Sequence, residues 1–401
     1  MHSKINDRIS YVGVNDLRGR VFEGQWPLPH GVSYNSYLVV DDKVALIDTA
    51  AAGFSDEFFF NIKAEIGDRP VDYLIVNHME PDHSALMAPV RQKWPDIRIV
   101  TNAKAAAMIK EFNGIDTGII LVKEGDTLSL CHCSLSFHMV PMLHWPETMV
   151  TWLDEQKTVF SGDAFGCFGA VCGDIRDYQS SLYKASSPCT DTFEAFKAEM
   201  QRYYADIVGK YGAPVQAALR KLSGLDIQRI CPTHGPVWEK YIPQVVSLYD
   251  RLSRYDADHG VNIVYGSMYG NTAAAAQALS EALTARGIPN EVHDLVAEQG
   301  PSFAYAGTFR YDTLAVGSPT YNTDIFPAVR DFMHGVALRG VKGRRFAAFG
   351  SYTWVGGGNK VLNTLASEAG MEVLCEGYGF KSGYDPSKFD AAAFADLLAN
   401  G

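Results

Sequence analysis

The sequence predicts an α/β protein built in two parts. The first, residues 1–254, places many short strands early with helices between them, which implies a domain with two sheets inside. The second, residues 260–401, repeats strand, loop and helix to its end, the pattern of a doubly wound parallel sheet. Between them the run Tyr255-Asp256-Ala257-Asp258-His259-Gly260 marks a break in texture. A chain of 401 residues accommodates two domains, and 47% apolar against 20% charged residues permits ordinary cores.

Taken in order, residues 37–40 and 44–48 flank Asp41-Asp42-Lys43 and read as a hairpin. Residues 55–66 suit a helix with Ser55 as N-cap and Gly67 beyond its end. The apolar run 71–76 reads as a buried strand, 84–94 as a helix, 97–101 as a strand and 105–112 as a helix. Strands follow at 121–122, 128–133, 135–140, 149–153 and 158–161, then a helical stretch over 191–222 and a strand over 227–231. In the second part, strands are expected at 261–265, 313–316, 346–349 and 373–376. An Ala-rich helix runs to about Arg286.

Composition narrows the function. A formal net charge of −11 argues against a broad nucleic-acid or anionic-membrane surface. No apolar run approaches the length of a membrane span, and the opening residues lack a signal peptide's apolar core. Seven cysteines, Cys131, Cys133, Cys167, Cys172, Cys189, Cys231 and Cys375, are odd in number and thinly spread. They suggest reduced thiols and a cytoplasmic setting rather than a disulfide framework. No CxxC pair offers a site for an iron–sulfur cluster.

Chemistry concentrates just past the 71–76 strand, in Asn77-His78-Met79-Glu80-Pro81-Asp82-His83-Ser84. Two imidazoles and two carboxylates packed this closely are costly to desolvate unless a cation holds them. Three further candidates each follow a strand: His144 in Leu143-His144-Trp145-Pro146-Glu147, Asp163 in Ser161-Gly162-Asp163, and His234 in Cys231-Pro232-Thr233-His234. Loops at strand ends are where α/β folds commonly gather site residues. The set is then His78, His83, His144 and His234 with Glu80, Asp82 and Asp163, four of them local and three scattered. His2, His30, His132, His138, His259, His293 and His334 lack such company and read as structural or surface residues. Cys131-His132-Cys133 reads as a strand with both thiols on one face, packed in the core.

A second constellation opens the C-terminal part. Ser267-Met268-Tyr269-Gly270-Asn271-Thr272 follows a strand and begins a helix, so its hydroxyls and backbone N–H groups suit a phosphate dianion. It has neither the Lys of a P-loop nor a GxGxxG pattern, against nucleoside triphosphates and dinucleotides. Two more strand-end loops accompany it: Gly317-Ser318-Pro319-Thr320-Tyr321-Asn322, and Gly350-Ser351-Tyr352-Thr353-Trp354-Val355-Gly356-Gly357-Gly358.

The 78–83 stretch resembles the HxHxDH signature of the metallo-β-lactamase superfamily, with Glu80 in place of the second His. That carboxylate adds charge and a hard oxygen, which suits iron or manganese better than zinc. The 267–272 loop is similar to the FMN phosphate loop of flavodoxins. Together, over nearly the whole chain, these features resemble the flavodiiron proteins. The resemblance implies an N-terminal αββα metallo-β-lactamase-like sandwich followed by a flavodoxin-like domain. By motif position it implies one iron on His78, Glu80 and His144 and a second on Asp82, His83 and His234. Asp163 would bridge, and family members differ in whether the imidazole at His83 coordinates. It also implies FMN held by the three loops, with Trp354, then Tyr321, as aromatic stacks on the ring, and with Ser318, Pro319, Thr320, Asn322, Ser351, Tyr352, Thr353, Gly356 and Gly357 around it.

Reduced FMN and two ferrous ions hold four electrons, which take O2 to two waters; two electrons take two NO to N2O. The resemblance implies one or both reactions, fed by rubredoxin or a similar carrier, in a head-to-tail homodimer. No side chain stands out as a nucleophile. Two alternatives are a zinc hydrolase fused to a flavodoxin-like domain, against which Glu80 speaks, and an electron carrier with a structural metal, against which the ligand number speaks. The basic run Arg339-Gly340-Val341-Lys342-Gly343-Arg344-Arg345 is a candidate dock for an acidic carrier or else a solvated turn.

Overall fold

The computed structural model describes residues 2–185, 191–298 and 300–400, so Cys189 lies outside the described residues. The chain divides into two compact units. The first comprises residues 1–22, 28–203 and 213–250, and the second 23–27, 204–212 and 251–401.

The first unit contains two large sheets. One has seven strands in the order Ser3–Lys4, Ile9–Tyr11, Tyr37–Val40, Val44–Ile47, Tyr73–Ile75, Arg98–Thr101 and Ile119–Leu121. The other has five: Thr127–Ser129, Ser134–Met139, Met149–Leu153, Thr158–Gly162 and Arg229–Pro232. Every residue of Val44–Ile47, Met149–Leu153 and Thr158–Gly162 is buried. Side chains alternate between faces along a strand, so continuous burial means both faces of each sheet are covered. Tyr37 of one sheet meets Phe160 of the other with ring centroids 5.5 Å apart. Each fully buried Val, Leu or Ile there contributes roughly 1.5–3 kcal/mol.

Strand direction decides where the site falls. Val44–Ile47, Tyr73–Ile75, Arg98–Thr101 and Ile119–Leu121 run parallel, so their C-terminal ends share one edge. In the second sheet Ser134–Met139 and Thr158–Gly162 each pair antiparallel to Met149–Leu153, and Arg229–Pro232 runs parallel to Thr158–Gly162. The loops carrying His144, Asp163 and His234 therefore leave the same edge of that sheet.

The hairpin at 37–47 forms as its sequence predicts, with Val40 opposite Val44. The expected helix over 55–66 also forms, but its N-cap is Phe54, because a preceding turn of 3-10 helix over Ala52–Phe54 already places Ser55 in helical geometry. The expected helix over 84–94 is two pieces, Pro81–Ser84 and Met87–Lys93. Pro89 sits in the first turn of the second piece, where its missing N–H breaks no bond, and a continuous helix would have needed that donor. Residues 131–133 form a turn rather than a strand: Cys131 is exposed with φ +102°, while Cys133 is buried. Asp41 accepts the N–H groups of both His132 and Cys133 and so stabilises that turn.

In the second unit the main sheet runs Asn290–Asp294, Asp258–Tyr265, Tyr311–Gly317, Arg345–Tyr352, and then Glu372–Val373 and Tyr378–Lys381, both beside Arg345–Tyr352. All of these pairings are parallel. Strand order reverses beside Asp258–Tyr265, and ligands of open parallel sheets bind at such a switch point. The strand at Asn290–Asp294 escapes the hydrophobic pattern because it is an edge strand with polar residues on both faces. Ala275 and Ala276 let the helix Asn271–Thr284 lie close against Val261, Ile263 and Phe349. The basic run at 339–345 is not a basic surface. Arg344 is buried and donates to the carbonyls of Thr308, Phe309, Tyr255 and Lys342, and Arg345 bonds to Thr313 Oγ1 and Leu398 O.

Candidate metal centre and flavin site

The strand Tyr73–Ile75 ends at a loop, residues 76–80, that a buried carboxylate holds in place. Asp48, at the end of the neighbouring strand, accepts the backbone N–H of Asn77 at 2.8 Å and its side-chain amide at 3.1 Å. Burial pushes the Asp48 carboxyl up to about 6, against the pull of His83 and these donors. Thr151 completes the chain by donating to Asn77 Oδ1 at 2.7 Å. The loop then turns into Pro81–Ser84, so His78 and Glu80 enter one ligand group and Asp82 and His83 another.

All seven sequence-predicted ligands converge. His78, Glu80, His144 and Asp163 form one group and Asp82, His83 and His234 another, each group with its ligand atoms within 4.8 Å of one another. Asp163 faces both. Its Oδ2 is 3.0 Å from His144 Nε2 and 3.4 Å from His78 Nε2, while its Oδ1 is 2.9 Å from His83 Nε2 and 3.6 Å from His234 Nε2. Glu80 Oε2 lies 3.3 Å from His78 Nε2 and 3.2 Å from His144 Nε2, and Asp82 Oδ2 lies 3.2 Å from His83 Nε2 and 3.3 Å from His234 Nε2.

Outer partners aim two of the rings. Glu147 accepts from His78 Nδ1 at 2.8 Å and from Met79 N at 3.0 Å, and the Ser33 carbonyl accepts from His234 Nδ1 at 2.6 Å. Each leaves Nε2 pointing inward, the arrangement that fixes a metal-ligating imidazole. Thr233 donates to Asp163 Oδ1 at 2.5 Å. Rings close the surroundings: Trp145 stands 5.2 Å from His78, and Phe22, Tyr203 and Tyr34 stand 5.4, 5.4 and 5.8 Å from His234.

These residues fit a pair of cations. Both Asp82 oxygens, both ring nitrogens of His83 and Nε2 of His234 are buried, and among the described residues the close approaches they make to one another and to Asp163 lack hydrogen-bond geometry. Unpartnered polar atoms in a buried cluster are costly unless something else satisfies them. The electrostatics agree. Burial lowers His83 and His144, but Asp82 with Asp163, and Asp163 with Glu80, hold them up at about 9. Asp163 is held well below the usual carboxylate range by the imidazoles despite its burial. Imidazoles crowded against carboxylates in this way can exchange their protons for a metal ion. Nitrogen donors mixed with three carboxylates suit iron better than zinc.

Sequence reasoning did not find Glu147, Ser33, Asp48 or Tyr203 as parts of this site. Glu147 was within reach, three residues after His144; the others lie far away in sequence and carry no motif. The Tyr203 hydroxyl is buried without a hydrogen-bond partner among the described residues. Burial first, then the charges of Asp163, Glu80 and Asp82, keep it protonated far above neutral pH.

In the second unit a cavity of about 520 Å³ opens at the switch point, a size suited to a small cofactor. Ser267, Met268, Tyr269, Asn271 and Thr272 line it from the first loop, Pro319, Thr320, Tyr321 and Asn322 from the second, and Ser351, Tyr352, Thr353 and Trp354 from the third. Four predicted residues stand behind it. Gly270 caps the helix at φ +84°, and Ser318 accepts Phe326 N and donates to Pro319 O. Gly356 packs toward the Tyr352 ring, and Gly357 caps the helix Gly358–Glu368. Thr323, Val355 and Ser382 line the cavity without having been predicted. Ser382 follows Tyr378–Lys381, a strand the hydrophobic pattern does not reveal.

The cavity fits a phosphate-bearing flavin. Ser267 Oγ accepts the N–H groups of Gly270 and Ala273, which folds the loop into a turn at a helix N-terminus. Thr272 Oγ1 and Ser351 Oγ stand 3.4 Å apart beside it. Trp354 is 83% exposed and Tyr269 87% exposed at the rim, leaving aromatic faces open for stacking. Gly350 is required for closeness: a Cβ there would lie 1.8 Å from Ser318 O, so the two loops meet backbone to backbone.

A two-metal β-lactamase-like domain followed by a flavin-binding parallel sheet defines the class. Residues 32–235 match the ODP family of beta lactamases and residues 263–393 match flavodoxin. The chain belongs to the flavodiiron proteins. It is 31% identical over 377 residues to a nitric oxide reductase of Moorella thermoacetica, covering 93% of this chain and 91% of the relative. It is 31% identical over 380 residues to an anaerobic nitric oxide reductase flavorubredoxin of Escherichia coli, covering 92% of this chain and 76% of the relative. Its fold superposes on the rubredoxin oxygen:oxidoreductase of Desulfovibrio gigas with a TM-score of 0.89 and 28% identity, covering 100% of this chain and 98% of the other.

Proposed function

We propose that this protein reduces O2 to water, NO to N2O, or both, at a pair of irons supplied with electrons through FMN by a rubredoxin-type carrier. The observation that carries this reading is the Asp163 carboxylate, one oxygen in each of two ligand groups. In it His78, Glu80 and His144 would hold one iron and Asp82, His83 and His234 the other, with Asp163 available to both. Glu80 and the family matches speak against the zinc hydrolase. The relatives' names include both a nitric oxide reductase and an oxygen oxidoreductase, so both gases stand.

When bound, FMN and two ferrous ions together would supply the four electrons that O2 requires and a redox-active, polarising centre. The chain's own residues prepare that place. Glu147 and the Ser33 carbonyl hold the Nδ1 protons of His78 and His234, so their Nε2 atoms keep one direction. Trp145, Phe22 and Tyr34 surround the imidazoles and restrict water there. Burial keeps the proton on the Tyr203 hydroxyl. In the flavin cavity, loop 267–272 would receive the phosphate, and Trp354 and Tyr321 would hold the ring.

The test is anaerobic reduction of the iron- and FMN-loaded protein followed by electrode traces of O2 and NO. Consumption of at least one gas is expected. Neither gas being consumed would leave the electron-carrier reading standing instead. We further propose a head-to-tail homodimer, with the exposed Met268, Tyr269, Trp354 and Val355 around the flavin cavity turned to the second copy. Sedimentation should show a dimer or a larger even assembly. A strictly monomeric protein with full turnover would sink that proposal. The free thiols among the described residues suit the cytoplasm.

A further inference from the structure

Two short segments of the second unit lead, by a single peptide bond each, into rings that wall the metal site. Residues 23–27 belong to the second unit and follow Phe22, and residues 204–212 belong to it and follow Tyr203. In the first unit Phe22 and Tyr203 each stand 5.4 Å from the His234 ring, with Phe168 between them at 5.5 and 5.1 Å.

Within the second unit one side chain holds both segments. The Arg339 guanidinium lies 3.7 Å from the centroid of Tyr305 and 5.6 Å from that of Trp26. Its Nε donates to Ala205 O at 2.6 Å, its Nη2 to Asp206 O at 3.3 Å, and its Nη1 to Gly335 O at 3.0 Å. Helix regularity fails where those carbonyls sit. Thr192–Tyr203 gives way to a π turn over Tyr204–Val208 and then to a 3-10 turn over Gly209–Tyr211. Carbonyls at such a break are open to a side-chain donor. A planar guanidinium supplies that donor and stacks on aromatic faces with the same group, which an ammonium does not. Gly335 leaves the room: a Cβ there would lie 1.8 Å from the Tyr305 hydroxyl and displace the stack.

We propose that Arg339 is a positioning residue for the metal site: by clamping Trp26 and the Ala205 and Asp206 carbonyls, it fixes where Phe22 and Tyr203 stand against His234. The inference rests on the reading of His234 as an iron ligand. Arg339 touches neither metal nor flavin in this scheme. It acts through the chain, on the rings that limit movement of His234 and the approach of water to it.

The test uses the reduced, iron- and FMN-loaded protein and reads iron transfer to a ferrous chelator, with hydrogen exchange read over residues 21–27 and 203–208. Arg339→Ala is expected to release iron about tenfold faster, as loss of groups behind a ligand does. Exchange should rise in both segments while FMN content stays unchanged. Arg339→Lys should fall between, because it keeps the charge and loses the planar stack. Arg345→Ala, in the same unit but bonded to Thr313 and Leu398 instead, should release iron at the parent rate. If Arg339→Ala does not fold, Arg339→Lys decides by the same measurement. Parent-rate release from the Arg339 variants, or equal acceleration by Arg345→Ala, overturns the inference alone. A parent protein that holds no iron overturns the metal reading and takes this inference with it.

Discussion

Asp163→Asn is expected to yield a folded, FMN-loaded protein that holds about one iron or fewer and consumes O2 and NO more than about a hundredfold more slowly, since even groups behind a ligand typically contribute 10- to 100-fold. The substitution keeps shape and one oxygen. It removes the charge that stands between the two ligand groups, where Oδ2 faces His144 and Oδ1 faces His83. The remaining carboxylates are Glu80 and Asp82, one in each group. An amide donates through its nitrogen and cannot bridge two cations, and Thr233, which now donates to Asp163 Oδ1, stays bonded only where the amide oxygen takes that place. Metal analysis of the purified variant beside gas-electrode rates checks the prediction. Two irons with turnover within a few-fold of the parent would mean that the shared-carboxylate geometry is not the basis of the site.

Glu80→His is expected to reverse metal preference. Protein purified from cells supplied with both metals should carry mainly zinc, where the parent carries mainly iron, and gas consumption should be lost with the iron. The reason is donor chemistry. Glu80 Oε2 approaches both His78 and His144, so this hard anionic oxygen belongs to the group that otherwise has only nitrogen and the shared Asp163. A third imidazole makes that group nitrogen-rich and removes one negative charge, which favours zinc over ferrous iron. The zinc-to-iron ratio by elemental analysis is the measurement. A variant that still loads two irons and reduces gas at the parent rate would show that position 80 does not select the metal.

Much of the site could be read before folding, for a local reason. His78, Glu80, Asp82 and His83 fall within six residues, so one turn after one strand assembles them whatever the rest of the chain does. His144, Asp163 and His234 were legible because each follows a strand. The residues that aim the ligands were not. Ser33 and His234 are 201 positions apart, and a backbone carbonyl leaves no trace in sequence. Glu147 and His78 are 69 apart, and a lone glutamate is usually a solvated one. Local patterning also misled. Cys131-His132-Cys133 alternates like a strand, yet Ser129 pairs with Ser134, so the residues between them must turn, with Asp41 from elsewhere holding two of their N–H groups. The basic run at 339–345 looked like surface charge until the fold sent Arg344 to carbonyls at 255, 308 and 309, and Arg339 to those at 205, 206 and 335.

The sequence by itself determined the two-part architecture, the seven candidate ligands and the three loops of the flavin cavity, because strand periodicity, strand-end position and turn residues are short-range properties. Tertiary structure decided how the ligands divide. The parallel run of Thr158–Gly162 and Arg229–Pro232 brings Asp163 and His234 to one edge, and stacking against the Tyr73–Ile75 sheet places the 78–83 loop opposite them. Only that packing sets one oxygen of Asp163 before each group, since convergence across two sheets depends on long-range contacts that no window of sequence contains.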